Sequence, residues 1–184
     1  MLSEPYNKPP AEWTTKYWQW IYSQPRDKNP LKSGSIYCNE FICLPCTGGG
    51  EDCGRKVTLS GDDTKKDILV PVFASEYSTA EVRNASDEKL RSIAREMSIP
   101  VRMEATLDTV PLIPYYIESK PFNLELPTNH SLQNENSRGG TYRAVSCGYW
   151  NRLKPLPKGK HIIKFGGTGV NGFFTSVSYK VNVT

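Results

Sequence analysis

The sequence predicts a mainly β protein, an antiparallel β-sandwich or jelly roll with two peripheral helices, over one domain spanning residues 1–184. Three observations lead there. The second half alternates apolar and polar residues with a period of two, the signature of half-buried strands. The chain carries 14 Gly and 14 Pro, which demand frequent turns. Helical periodicity is confined to two short stretches, with no alternation of strand and helix that would indicate a parallel α/β sheet.

The first helix is expected from about residue 10 to 24, in "PAEWTTKYWQWIYSQ". Trp13, Tyr17, Trp20 and Ile21 recur at the spacing of one helical face, and Pro25 ends the run. An aromatic stripe of this kind is expected to bury against a sheet, its other use being a ligand platform. Residues 25–66 read as irregular. "DILVPVFAS" then reads as a strand buried on both faces, with Pro71 marking an edge or a bulge. A second helix follows over 87–98, with Ser86 as N-cap and Leu90, Ile93, Ala94 and Met97 on one face.

From residue 101 the period is two. Val101, Met103, Ala105 and Leu107 should face inward, then Phe122, Leu124 and Leu126, and finally Phe173, Thr175, Val177, Tyr179, Val181 and Val183. The polar stretch 127–140 reads as an exposed, mobile loop that leaves His130 in solvent. In "KHIIKF", His161 shares a face with Ile163 and Phe165, which makes it a half-buried, hydrogen-bonded structural residue at the start of a strand.

The formal charge is +4, from 23 basic and 19 acidic side chains scattered along the chain. No block of basic residues marks a nucleic-acid partner, and no apolar run reaches the roughly 20 residues of a membrane span. "MLSEPYNKPP" has neither the charged start nor the apolar core of a signal peptide. Sequons at Asn84, Asn129 and Asn182 would matter only in an exported chain.

Read together, "EWTTKYWQWIYSQPRDKNP", the cysteine-bearing loop that leads to "ILVPVF", and "GYWNRLKPLPKGKHIIKFGG" resemble a family of uncharacterised bacterial and archaeal proteins. Its members carry a signal peptide, an N-terminal "W..WW.W" helix and a terminal "DGYW..L.PL.PG.H.I.FGG" segment. The resemblance implies an extracytoplasmic β-rich domain and transfers no catalytic residue. This chain has Cys147 where that pattern has Asp, and extra cysteines in the loop.

Cys38, Cys43, Cys46 and Cys53 fall within 16 residues. Two staples fit that spacing, and free thiols are the third reading, since five cysteines leave at least one unpaired within a monomer. One is a structural four-thiolate zinc site built on the Cys43-x2-Cys46 pair; the other is one or two disulfides, such as Cys38 to Cys53. Either would be structural and neither implies catalysis.

Catalytic candidates are few. A Cys147/His161 dyad would need both side chains on one inward face, and a buried thiol acting as a small apolar residue is the simpler account. Glu104, Asp108, Glu118 and Glu125 alternate with apolar neighbours and should face solvent, which leaves no acid pair for glycoside cleavage. "CTGGGEDCG" and "FGGTGVNG" link no strand to a helix, so no phosphate cradle is expected. The remaining expectation is a non-enzymatic domain for binding or assembly. Tyr115, Tyr116, Tyr149 and Trp150 would supply aromatic surface for a glycan or protein partner. Self-association would run through an open edge at the last strand, "YKVNVT". The alternative is a hydrolase of surface polymers.

Overall fold

The computed structural model describes residues 6–38, 40–45, 52–132 and 138–184. In chain order the elements are β1 (Tyr6–Asn7), α1 (Ala11–Tyr22), α2 (Pro30–Ser33), β2 (Tyr37–Cys38), β3 (Phe41–Cys43), β4 (Asp52–Leu59), β5 (Ile68–Ser78) and α3 (Asp87–Met97). They continue as β6 (Pro100–Leu107), β7 (Val110–Pro111), β8 (Tyr115–Glu118), β9 (Phe122–Leu126), β10 (Gly140–Leu153), β11 (Gly159–Gly169) and β12 (Phe174–Val183). The fold is mainly β, as the alternating pattern predicts, and none of the described helices is long and apolar enough to cross a membrane.

Two sheets stack. The first runs β1-β10-β5-β3-β2, with β1, β8 and β9 paired in succession along the free side of β10. The second runs β4-β12-β11-β6-β7. Most pairings are antiparallel, but β12 with β4 and β3 with β5 are parallel, so both sheets are mixed. The expected open edge at the last strand is absent: β12 lies between β4 and β11. The described residues within 25–66 also form more regular structure than their composition suggests. They supply α2, the β2–β3 hairpin and the eight-residue β4, in which Cys53, Arg55, Val57 and Leu59 alternate inward.

Between the sheets lies the largest core, built from Ile68, Val70 and Val72 of β5, Leu153 of β10, Ile163 and Phe165 of β11, and Val177, Tyr179, Val181 and Val183 of β12. The opposite face of the first sheet is covered by α1. Trp13 stacks on Phe41 with ring centroids 4.2 Å apart, and Tyr17 meets Trp150 edge-on at 5.2 Å. The aromatic stripe therefore buries against a sheet, in a layer completed by Ile21, Leu69 and Ile117. Where the second sheet ends, α3 takes its place, packing Leu90 and Ala94 on Val145 and Cys147. The Ser86 side chain caps α3 by accepting from the Lys89 N–H at 3.2 Å, as its position predicts.

Pro71 lies at a bulge in a central strand. Trp150 of β10 pairs with Pro71 and Tyr149 with Phe73, so Val72 is the extra residue. The bulge exchanges the two faces of β5. Val70 and the bulged Val72 point to the second sheet; beyond the bulge, Ala74 and Glu76 point toward α1.

Three side chains expected elsewhere are relocated by these constraints. Phe173 precedes β12 in the turn and is exposed, as is Val101 near the start of β6. His130 is buried, because the loop holding it is pinned to the end of α1. Arg26 N–H donates to the Asn129 carbonyl at 2.8 Å, and Asn29 Nδ2 donates to Ser131 Oγ at 2.7 Å. Residues 133–137 of that loop lie outside the described residues.

Candidate functional site

His161 has the structural role its strand position predicts. Its Nδ1 is 3.0 Å from Asp108 Oδ2 and its Nε2 is 2.8 Å from the Pro157 carbonyl oxygen. Both partners accept, so the geometry favours the doubly protonated imidazolium. Burial works against that charge, but the hydrogen bonds to Asp108 and Pro157 outweigh it and raise the pKa. Burial likewise works to raise Asp108, and the Ile162 N–H and His161 outweigh it and lower its pKa. Asp108 has φ 58° and closes the β6–β7 turn while its Oδ1 accepts from the Ile162 N–H at 2.8 Å.

Together these groups tie β6 to β11. The His161 contribution is complete below the ordinary imidazole pKa and is lost as pH rises through the raised value. The Asp108 contribution is present above the ordinary carboxylate pKa and is lost as pH falls through the lowered value. Asp108 is half exposed, so Asp108→Asn is expected to cost only about 0.5 kcal/mol. Titration of His161 by NMR should give a midpoint above the free-imidazole value in the parent, and a lower midpoint in the variant.

Neither ring nitrogen is free to serve Cys147, whose thiol packs beneath α3. Burial raises that thiol's pKa further from reactivity, and Glu118 adds to it. Cys38 and Cys43 are both fully buried beneath α1, where burial first and then Cys38 push the Cys43 thiol well up. Cys53 packs instead against the core between the sheets. The expected Cys38–Cys53 bridge is not formed, because the first sheet separates the layers that hold them; the four thiols of Cys38, Cys43, Cys53 and Cys147 are free. Cys46 lies outside the described residues, and among those no group of three His, Cys, Asp or Glu side chains is placed to hold a metal ion.

The four aromatic candidates come together as two cross-strand pairs, Tyr149 with Tyr116 and Trp150 with Tyr115. Their roles then divide. Trp150 is fully buried under α1 and offers no surface. Tyr116 is exposed, its ring 5.2 Å from that of Tyr149 and its hydroxyl donating to Glu118 Oε1 at 2.9 Å. Glu118 is also held by Arg95 at 2.7 Å, which with Tyr116 keeps its pKa low. Glu104 pairs with Arg102, and Glu125 accepts from Thr141. Each of these three carboxylates is thus engaged by a neighbouring side chain.

The chemically distinctive site lies elsewhere, where the bulge turns β5 toward α1. Two adjoining hollows of about 160 and 200 Å³ share Trp18, Tyr22, Phe73, Ala74 and Phe173 and form one cleft between α1, β5 and the turn before β12. Trp18 and Tyr22 stack at 5.8 Å, and Phe73 faces Phe173 at 5.9 Å. The Trp18 indole N–H donates to Ser146 Oγ at 2.7 Å, which fixes that wall.

One end of the cleft is acidic. Glu76 is only 5% exposed, and neither carboxyl oxygen receives a hydrogen bond. Burial first, then the neighbouring Glu81, push its pKa well above the usual carboxylate range; Ser78 and the Tyr22 hydroxyl beside it only partly oppose that rise. Glu81 is raised by burial too, while Oε2 accepts from both the N–H (2.9 Å) and the hydroxyl (3.0 Å) of Ser78. The pair can therefore hold a neutral carboxylic acid, donor and acceptor at once, in a cleft walled by rings.

Comparison with family models, with curated proteins and with solved structures returns no match.

Proposed function

We propose that this protein is a non-enzymatic binding domain, working at or outside the cell surface, that takes a carbohydrate segment into the cleft between α1 and β5. The observation that carries the reading is the unpaired, buried carboxyl of Glu76 at the end of a cleft lined by Trp18, Tyr22, Phe73 and Phe173. Sugar rings present apolar C–H faces that suit aromatic walls, and hydroxyls that both give and accept hydrogen bonds. A protonated carboxyl answers such a hydroxyl in both directions. The exported location follows the family resemblance.

The Glu76/Glu81 pair favours one alternative reading, hydrolysis of a surface polymer, because a carboxyl kept protonated near a second carboxyl is what a glycoside hydrolase needs for its general acid. Glu76→Gln separates the two readings. An amide keeps the hydrogen bonds of a neutral acid, so a binding domain retains its affinity, whereas a hydrolase loses turnover.

Calorimetric titration with a panel of neutral oligosaccharides tests the proposal. Phe173→Ala is the informative variant, since that ring is exposed in a turn and its loss should leave thermal stability unchanged. A drop in affinity of about tenfold is expected. Absence of binding across the panel, or equal binding by Phe173→Ala, refutes the assignment to this cleft.

A further inference from the structure

The outer face of the second sheet gathers lysines that are far apart in the chain. Lys56 of β4 and Lys180 of β12 are direct neighbours in the parallel register, and Lys160 and Lys164 extend along β11 on the same face. All four are exposed. Among the described residues no salt bridge reaches any of them. Two carboxylates lie on or beside this face, and both are already engaged: Asp108 by His161 and the Ile162 N–H, and Glu104 by Arg102 at 3.7 Å. Like charges placed directly opposite on adjacent strands cost stability. Here that cost is carried without a described counter-charge, above a trough of about 550 Å³ whose lining includes Thr58, Asn182 and Ile162.

We propose that this face is a second binding surface, separate from the α1–β5 cleft, and that its occupant is an acidic polysaccharide bearing carboxylate groups. Charge complementarity requires an anionic partner. Lysine ammonium groups act as point charges and match separated carboxylates, whereas bidentate phosphate recognition draws on arginine. Adjacent strands lie about 4.8 Å apart and alternate residues about 6.6 Å apart, so the cations form a broad array. A broad sheet face does not enter a DNA groove, which admits a helix or a two-stranded ribbon. The trough lining has no Phe, Tyr or Trp ring to stack an unpaired base, and its one ring, His161, is held by Asp108 and the Pro157 carbonyl. Ile162 is the one strongly exposed apolar side chain lining it, too little to anchor the face in a lipid surface. Thr58 and Asn182 supply hydrogen-bonding groups for the hydroxyls of a sugar chain.

The test is titration of the protein with polygalacturonate, with neutral dextran, duplex DNA and phosphatidylglycerol vesicles as comparators. Polygalacturonate should bind, dextran should not bind at this face, and affinity should fall as salt is raised from about 0.05 to about 0.5 M. The double variant Lys56→Gln/Lys180→Gln should lose about tenfold in affinity, with a melting temperature equal to or above that of the parent because a repulsive pair is gone. Lys160→Gln/Lys164→Gln should weaken binding in the same direction. Phe173→Ala should leave it unchanged, which keeps this result separable from the fate of the cleft. No binding of polygalacturonate at low salt, equal binding by both double variants, or tighter binding of DNA or vesicles overturns the proposal.

Discussion

Replacing Gly148 by alanine is expected to destabilise the protein by on the order of 4 kcal/mol, a large share of the roughly 5–15 kcal/mol that holds a domain folded. Gly148 sits in the middle of β10 with β5 on one side and β8 on the other, paired with Ala74 and Ile117. Its φ is +149°, which side-chain-bearing residues avoid, and a Cβ there would fall 2.3 Å from Ala74 Cα and 2.6 Å from the Phe73 carbonyl oxygen. Neither obstacle is a flexible side-chain tip. Relief would have to move the backbone of β5 at the bulge that positions the cleft. Gly54→Ala in β4 is the control, because a Cβ there meets nothing within 4 Å. It should be neutral or stabilising by about 0.5 kcal/mol. Urea unfolding of both variants decides the matter; a Gly148→Ala protein within about 1 kcal/mol of the parent contradicts the close approach described above.

The second large effect is a dependence of stability on pH that Glu76 imposes. Its folded pKa is raised well above the ordinary value, chiefly by burial and by Glu81. Folding therefore favours the protonated form. Below the unfolded-state pKa the acid is protonated in both states and stability is complete. Above that pKa the unfolded chain ionises first, and stability is lost until pH passes the folded value. In that window the slope approaches about 1.4 kcal/mol per pH unit for the single group. Glu81, also raised, adds loss in the same direction. Denaturant midpoints should therefore decline as pH rises above the ordinary carboxylate range, and Glu76→Gln should flatten the decline and be more stable than the parent at its upper end. A parent protein with constant midpoints across that range would show that the carboxyl is not desolvated.

The sequence displays the sandwich because alternation survives wherever one side of a strand is wet. The inward faces of β9 and β12 are readable for that reason, as are α1 and α3, whose caps and prolines are local signals, whereas the one-turn α2 is not. The cleft was not readable, for two physical reasons. A single bulge at Pro71 exchanges the faces of β5, so that Glu76, in step with Val70 and Val72 by number, points the other way. Register at a bulge depends on the partner strand, which a one-dimensional pattern does not contain. The lysine face failed to show as a basic block because its members come from β4, β11 and β12 and meet only through cross-strand pairing. His130 reads as solvated because its neighbours are polar, yet hydrogen bonds to the residues after α1 draw its loop inward. By contrast β4 carried a legible alternation in "CGRKVTL", overshadowed by the cysteines beside it.

The place of β12 between β4 and β11 bears on how the chain reaches this state. Val57 must find Val181 across 124 positions of sequence before β4 has any neighbour in its sheet. Contacts that distant are closed late and slowly, since the entropy of the intervening loop is lost before the contact stabilises anything. During synthesis the inner edge of β4, with Lys56, therefore waits unpaired until nearly all of the described chain has emerged. Refolding should accordingly be limited by docking of this final ribbon, and a chain cut before residue 174 should keep an adhesive strand that seeks partners in other molecules.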